Sequence, residues 1–139
     1  MDRQDLFSYI DSRKDDVIAD LQSLIRQRSV SAKKQGLEQC AAVVAGIMVK
    51  AGINTRILNL PRDGKPDGQG SIASPIVYGE VKMKKKTGRT PRTLLFYNHY
   101  DVQPEDPIEL WEHDPYEGIV EGDYIYGRGS SDDKGELIT

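Results

Sequence analysis

The chain has 139 residues, of which 37% are hydrophobic and 29% charged, with a formal net charge of -3. That length suits one domain with a buried core, and the mild acidity offers no general attraction to nucleic acid or to an anionic membrane. A lone cysteine, Cys40, excludes an internal disulfide, and no apolar run of about 18 residues is present to span a bilayer as a helix.

From about Asp5 to Arg28 the pattern predicts a helix. Leu6, Ile10, Val17, Leu21, Leu24 and Ile25 fall on one face when wound at about 3.6 residues per turn. Ser29 to Gln35 is a polar break. A second helix is expected from about Gly36 to Ala51, burying Leu37, Cys40, Ala41, Val44 and Met48, with Gly52 as its left-handed stop. Ile53 to Leu60 reads as a strand by its alternation. Pro61 to Gly70 is dense in Gly, Pro and Asp and reads as a loop.

Pro75 to Lys82 is the second expected strand and Thr93 to Asn98 the third. Leu94, Leu95, Phe96 and Tyr97 form an unbroken apolar run, which suits a strand covered on both faces. The short link between these two strands favours an antiparallel pair. Tyr124-Ile125-Tyr126 is a short strand between glycines, and a helix is expected to begin near Lys134. Two helices followed by strands imply an α/β domain, a mixed sheet covered by helices.

Two segments carry chemistry. His99 directly follows the apolar run, at a strand end where a sheet delivers side chains to a crevice. Asp101 lies one residue beyond Tyr100, so in an extended chain it faces the same way as His99. A carboxylate there can accept an imidazole N–H and raise its basicity toward a metal ion. His-x-Asp by itself is common, and taken alone it reads far more often as a surface histidine beside an unrelated aspartate.

The second segment is Gly127-Arg128-Gly129-Ser130-Ser131-Asp132-Asp133-Lys134-Gly135. Its glycines allow tight turns, and Asp132 is a hard oxygen ligand suited to zinc, manganese or cobalt beside a histidine nitrogen. The competing reading is a solvated acidic turn that caps the next helix, with Asp133 as the cap.

Together the two segments form an ordered series. His99-x-Asp101-Val102-x-Pro104 is followed by Trp111, Asp114-Pro115, Gly122-Asp123 and then Tyr126 through Gly135. From Leu94 to Gly135 this series resembles the aminoacylase/carnosinase/carboxypeptidase G peptidase family, which also holds acetylornithine deacetylase and succinyl-diaminopimelate desuccinylase. Asn98, where a small residue is frequent, and Glu136, where proline is common, depart from the family pattern.

The resemblance implies a fold, a partial three-layer α/β/α zinc-peptidase catalytic domain. It implies that residues 1–139 are the N-terminal part of that domain, with a smaller dimerisation domain and the remaining catalytic segment absent. His99 is then a metal ligand, Asp101 the residue that orients it, and Asp132 a carboxylate bridging two zinc ions, with cobalt or manganese as alternatives. The Asp132–Asp133 bond is implied to be cis.

The implied activity is hydrolysis of a peptide or amide bond, as in a dipeptidase, through a metal-activated water. The general base, in a Glu-Glu pair, and the remaining ligands would lie past Thr139, so residues 1–139 alone are expected to be inactive. The expected partners are a small peptide or an N-acyl amino acid, with no nucleic acid and no membrane. The whole enzyme is expected to be cytoplasmic and able to form a homodimer. Two alternatives stand beside this, a deacylase of N-acyl amino acids and a short non-enzymatic product that binds a partner.

Other signals are weaker. Lys82-Met83-Lys84-Lys85-Lys86 with Arg89 and Arg92 reads as a solvated hairpin tip, because no aromatic residue interleaves it. His113 stands among acidic residues and reads as solvated. Trp111 and Pro115 read as loop core. Cys40, on an apolar helix face, reads as a buried reduced thiol rather than a nucleophile.

Overall fold

A computed structural model describes residues 2–60, 73–82 and 92–139. Its helices are α1 (Arg3–Ser12), α2 (Lys14–Arg26), α3 (Leu37–Lys50) and α4 (Lys134–Ile138). Its strands are β1 (Asn54–Leu58), β2 (Ile76–Glu80), β3 (Ile119–Glu121) and β4 (Tyr124–Tyr126), with short 3-10 turns at Ser31–Lys33 and Ile108–Leu110. The order of elements is that of an α/β protein.

The expected first helix is two. Asp2 starts α1 with a capping box, its carboxylate accepting from the Asp5 amide while Asp5 accepts from the Asp2 amide. The helix then breaks at Arg13. The sequence explains why, since no apolar residue lies between Ile10 and Val17 and the gap is mostly charged. No packing carries the helix across it. Leu24 and Ile25 of α2 are fully buried, whereas Leu6 and Ile10 of α1 are exposed. One continuous stripe was therefore the wrong expectation.

Helix α3 follows its predicted pattern. Cys40, Ala41 and Val44 are buried, and Gly52 sits beyond its end at φ 79°. Leu24, Cys40 and Val44 form a core against which Ile47, Met48, Val77, Tyr100 and Leu137 pack. Burying one such leucine contributes about 1.5–3 kcal/mol. A second small core of Val30, Val102 and Tyr116 lies under the loops.

Strands β1 and β2 pair antiparallel, with Asn54 opposite Glu80 and Leu58 opposite Ile76. Strands β3 and β4 form a hairpin around Gly122-Asp123; β3 was not foreseen. The one parallel pairing among the described residues is the isolated bridge between Val30 and Val102.

The third expected strand is not formed. Leu94, Leu95, Phe96 and Tyr97 are 77–88% exposed and carry no ladder. A strand needs a neighbour to take its backbone donors and acceptors, and none pairs with this segment among the described residues. The antiparallel pairing expected between it and β2 is accordingly not found. The Pro61–Gly70 loop and most of the basic run lie outside the described residues. No described helix is long and apolar enough to cross a membrane.

Candidate metal centre

The two chemistry-bearing segments meet over the C-terminal end of α2. On the His99 side, the Ser29 hydroxyl donates to the Tyr100 carbonyl at 2.7 Å. The Val102 amide donates to the Ser29 carbonyl at 2.9 Å. Ser29 is fully buried, so these bonds hold the backbone immediately after His99 in a fixed place. The Tyr100 hydroxyl reaches across to the Pro75 carbonyl ahead of β2.

On the Asp132 side, Gly129 turns the chain at φ 85° against Val102. The bond between Asp132 and Asp133 is cis. Asp133 occupies the N-cap position of α4 but makes no capping bond. Its carboxylate instead accepts from the His99 amide at 2.7 Å, tying the two segments directly. The capping role expected for Asp133 is thus replaced by a cross-link.

The predicted residues converge. His99 Nε2 lies 3.1 Å from Asp132 Oδ1, across 33 residues of sequence. The opposite ring nitrogen, Nδ1, lies 3.0 Å from the Asp101 carbonyl oxygen and 3.3 Å from Asp101 Oδ1. The backbone carbonyl is the shorter of the two contacts. Either oxygen can accept an Nδ1–H, which leaves Nε2 as the lone-pair nitrogen. Burial alone would lower the His99 pKa, but the Asp101 carbonyl and the charges of Asp101, Asp133 and Asp132 outweigh it and raise the value. A cleft of about 390 Å³ opens here, lined by His99, Asp101, Arg128, Gly129, Ser131 and Asp132.

This donor set fits a metal ion. Ligand atoms of His99, Asp132 and Asp133 all lie within 4.8 Å of one another. Bonds of about 2.0–2.2 Å in tetrahedral geometry set neighbouring ligand atoms roughly 3.4 Å apart. The 3.1 Å between His99 Nε2 and Asp132 Oδ1 needs only a few tenths of an ångström of adjustment. One imidazole nitrogen with carboxylate oxygens is also the mixture that zinc, cobalt and manganese accept.

Sequence reasoning missed Lys134. Its ammonium is fully buried and donates to the Leu24 carbonyl at 2.7 Å and to the Gln27 carbonyl at 2.8 Å. Burial lowers its pKa from the ordinary lysine value. A lysine after two aspartates reads as solvent-exposed, and no local pattern signals otherwise. Ser29 likewise lies in a stretch whose composition reads only as a polar break.

The minor signals resolve simply. Pro115 is buried, and Trp111 packs beneath the Arg128 guanidinium at 4.9 Å, so both are loop core as expected. His113 is partly buried, 3.3 Å from Glu121 Oε1, rather than simply solvated. Cys40 is a buried free thiol whose pKa burial raises.

An α/β fold that joins an oriented histidine to an aspartate pair defines a protein with a candidate metal-hydrolase centre. Residues 95–139 match the model of peptidase family M20/M25/M40. The chain is 30% identical over 96% of its length to human beta-Ala-His dipeptidase, covering 26% of that protein. It is 33% identical over 86% of its length to succinyl-diaminopimelate desuccinylase of Gluconobacter oxydans, covering 27% of that protein. Among solved structures it superposes on the M20 family metallo-carboxypeptidase Sso-CP2 of Sulfolobus solfataricus with a TM-score of 0.70. That match has 33% identity and covers 88% of this chain and 24% of the other. The chain therefore spans about a quarter of the length of the curated relatives it matches.

Proposed function

We propose that this chain carries part of the active site of a metal-dependent peptidase or amide hydrolase, one that cleaves dipeptides or N-acyl amino acids. The observation that carries the reading is the approach of His99 Nε2 and Asp132 Oδ1 to 3.1 Å from separate segments. Relatives named for a dipeptidase, a desuccinylase and a metallo-carboxypeptidase support it.

His99 and Asp132 would hold the metal, with zinc as the expected ion and two ions as the expected number. Asp101 keeps His99 in the tautomer that presents Nε2. Asp133 is committed by its bond to the His99 amide and acts in positioning. Bound metal supplies Lewis-acid polarisation of the scissile carbonyl and a lowered pKa for water. This chain's own residues orient the imidazole and confine the cleft. The buried Cys40 thiol fits a reducing, cytoplasmic setting.

The metal reading is tested by titrating cobalt(II) into the protein expressed from its whole gene and following its visible absorption. Bands are expected for the wild type and should be lost in His99→Ala and in Asp132→Ala. Equal binding by all three proteins would refute these ligands. The substrate reading is tested on the protein expressed from its whole gene, with dipeptides and N-acyl amino acids assayed side by side. Turnover of neither class, with metal present, would overturn it.

A further inference from the structure

We propose that Lys134 and Ser29 are positioning residues that fix the two ligand-bearing segments to one anchor, the C-terminal end of α2. The inference rests on the metal reading above for its purpose, though not for its geometry.

The last carbonyls of a helix have no partner within it. Here the Leu24 carbonyl, in the last turn of α2, and the Gln27 carbonyl just past it both accept from Lys134 Nζ, at 2.7 and 2.8 Å. A cation at this end also meets the negative pole of the helix dipole. Lys134 directly follows Asp133, whose carboxylate holds the His99 amide. Two residues beyond Gln27, Ser29 holds the Tyr100 carbonyl and the Val102 amide, on either side of Asp101.

One short stretch, Leu24 to Ser29, therefore sets the place of both halves of the centre. All six residues follow one another without a gap, so the two segments cannot shift independently. A surface lysine would not need full burial, and a merely stabilising core position would be filled at lower desolvation cost by an apolar side chain. Ammonium chemistry is required because the neighbours it serves are carbonyl oxygens.

The test compares the protein expressed from its whole gene, as wild type, with its Lys134→Met, Ser29→Ala and core control Val44→Ala variants, each at a temperature where circular dichroism shows it folded. The first readout needs no metal. It is the hydrogen-exchange protection of the His99 amide, which donates to Asp133. Lys134→Met should lower that protection at least tenfold relative to amides of α3, while Val44→Ala should not. The second readout is cobalt(II) affinity, expected to fall about tenfold or more in Lys134→Met and several-fold in Ser29→Ala.

Unchanged His99 protection in folded Lys134→Met overturns the inference. If Lys134→Met does not fold, Ser29→Ala decides, and an unchanged cobalt affinity and spectrum there overturns it. Failure of the wild-type protein expressed from its whole gene to bind cobalt refutes the metal reading, while the amide readout still judges the positioning.

Discussion

Replacing Gly129 by alanine tests whether the Asp132 segment is held against the His99 segment. Gly129 has φ 85°, a conformation that costs an L side chain about 1–2 kcal/mol. A Cβ built there would lie 2.6 Å from Val102 Cγ1 and 3.3 Å from Lys134 Cδ. Val102 cannot retreat freely, because it is buried with Val30 and Tyr116 and its amide is bonded to Ser29. Overpacking of this kind costs about 1–3 kcal/mol, and the stiffer unfolded chain offsets about 0.4–1 kcal/mol. The net loss is roughly 1–4.5 kcal/mol.

Gly122→Ala is the control. Gly122 has φ 60° but nothing within 4 Å of its added Cβ, so only the backbone term applies, about 1 kcal/mol. Urea unfolding followed by circular dichroism measures both, with equal slopes required for the comparison. Gly129→Ala should be the more damaging by about 1–3 kcal/mol. Equal losses in the two variants would show that Gly129 is not wedged against Val102, and the account of how the segments are held would fail.

Leu24→Ala, at a fully buried core position, should destabilise by about 2–5 kcal/mol in the same urea assay; a loss under about 1 kcal/mol would contradict the core assignment. Cys40 should react slowly with an aromatic disulfide reagent in buffer and rapidly in denaturant, since it is buried and its pKa is raised by desolvation; fast native-state labelling would argue against its place in α3. Tyr100 and Tyr116 are each pushed up to about 12, by burial first in both cases and by the Glu105 hydrogen bond as well for Tyr116. A phenol whose folded pKa exceeds its unfolded value of about 10 contributes stability that is present below pH 10 and lost as pH rises toward 12. Tyrosinate absorbance should therefore show a late phase coinciding with alkaline unfolding. Complete titration near pH 10 with the fold intact would refute the burial of both rings.

The sequence alone pointed to the residues that folding brings together at the candidate centre. His99, Asp101 and Asp132 are legible because ligand types and their order along the chain are local properties, and so are the α3 stripe and its Gly52 stop. The periodicity of Leu6 through Ile25 was legible too, but not the break at Arg13, because a hydrophobic pattern does not reveal whether anything packs against it. Nor does an apolar run such as Leu94–Tyr97 reveal whether a neighbouring strand is present.

Tertiary structure alone decided how the site is held. Lys134 and Ser29 look like ordinary polar residues because their partners, the Leu24, Gln27 and Tyr100 carbonyls, lie 71–110 residues away. Asp133 likewise exchanges a helix cap for the His99 amide across 34 residues. Ligand identity is encoded by side-chain type, whereas position depends on backbone groups that become neighbours only on folding.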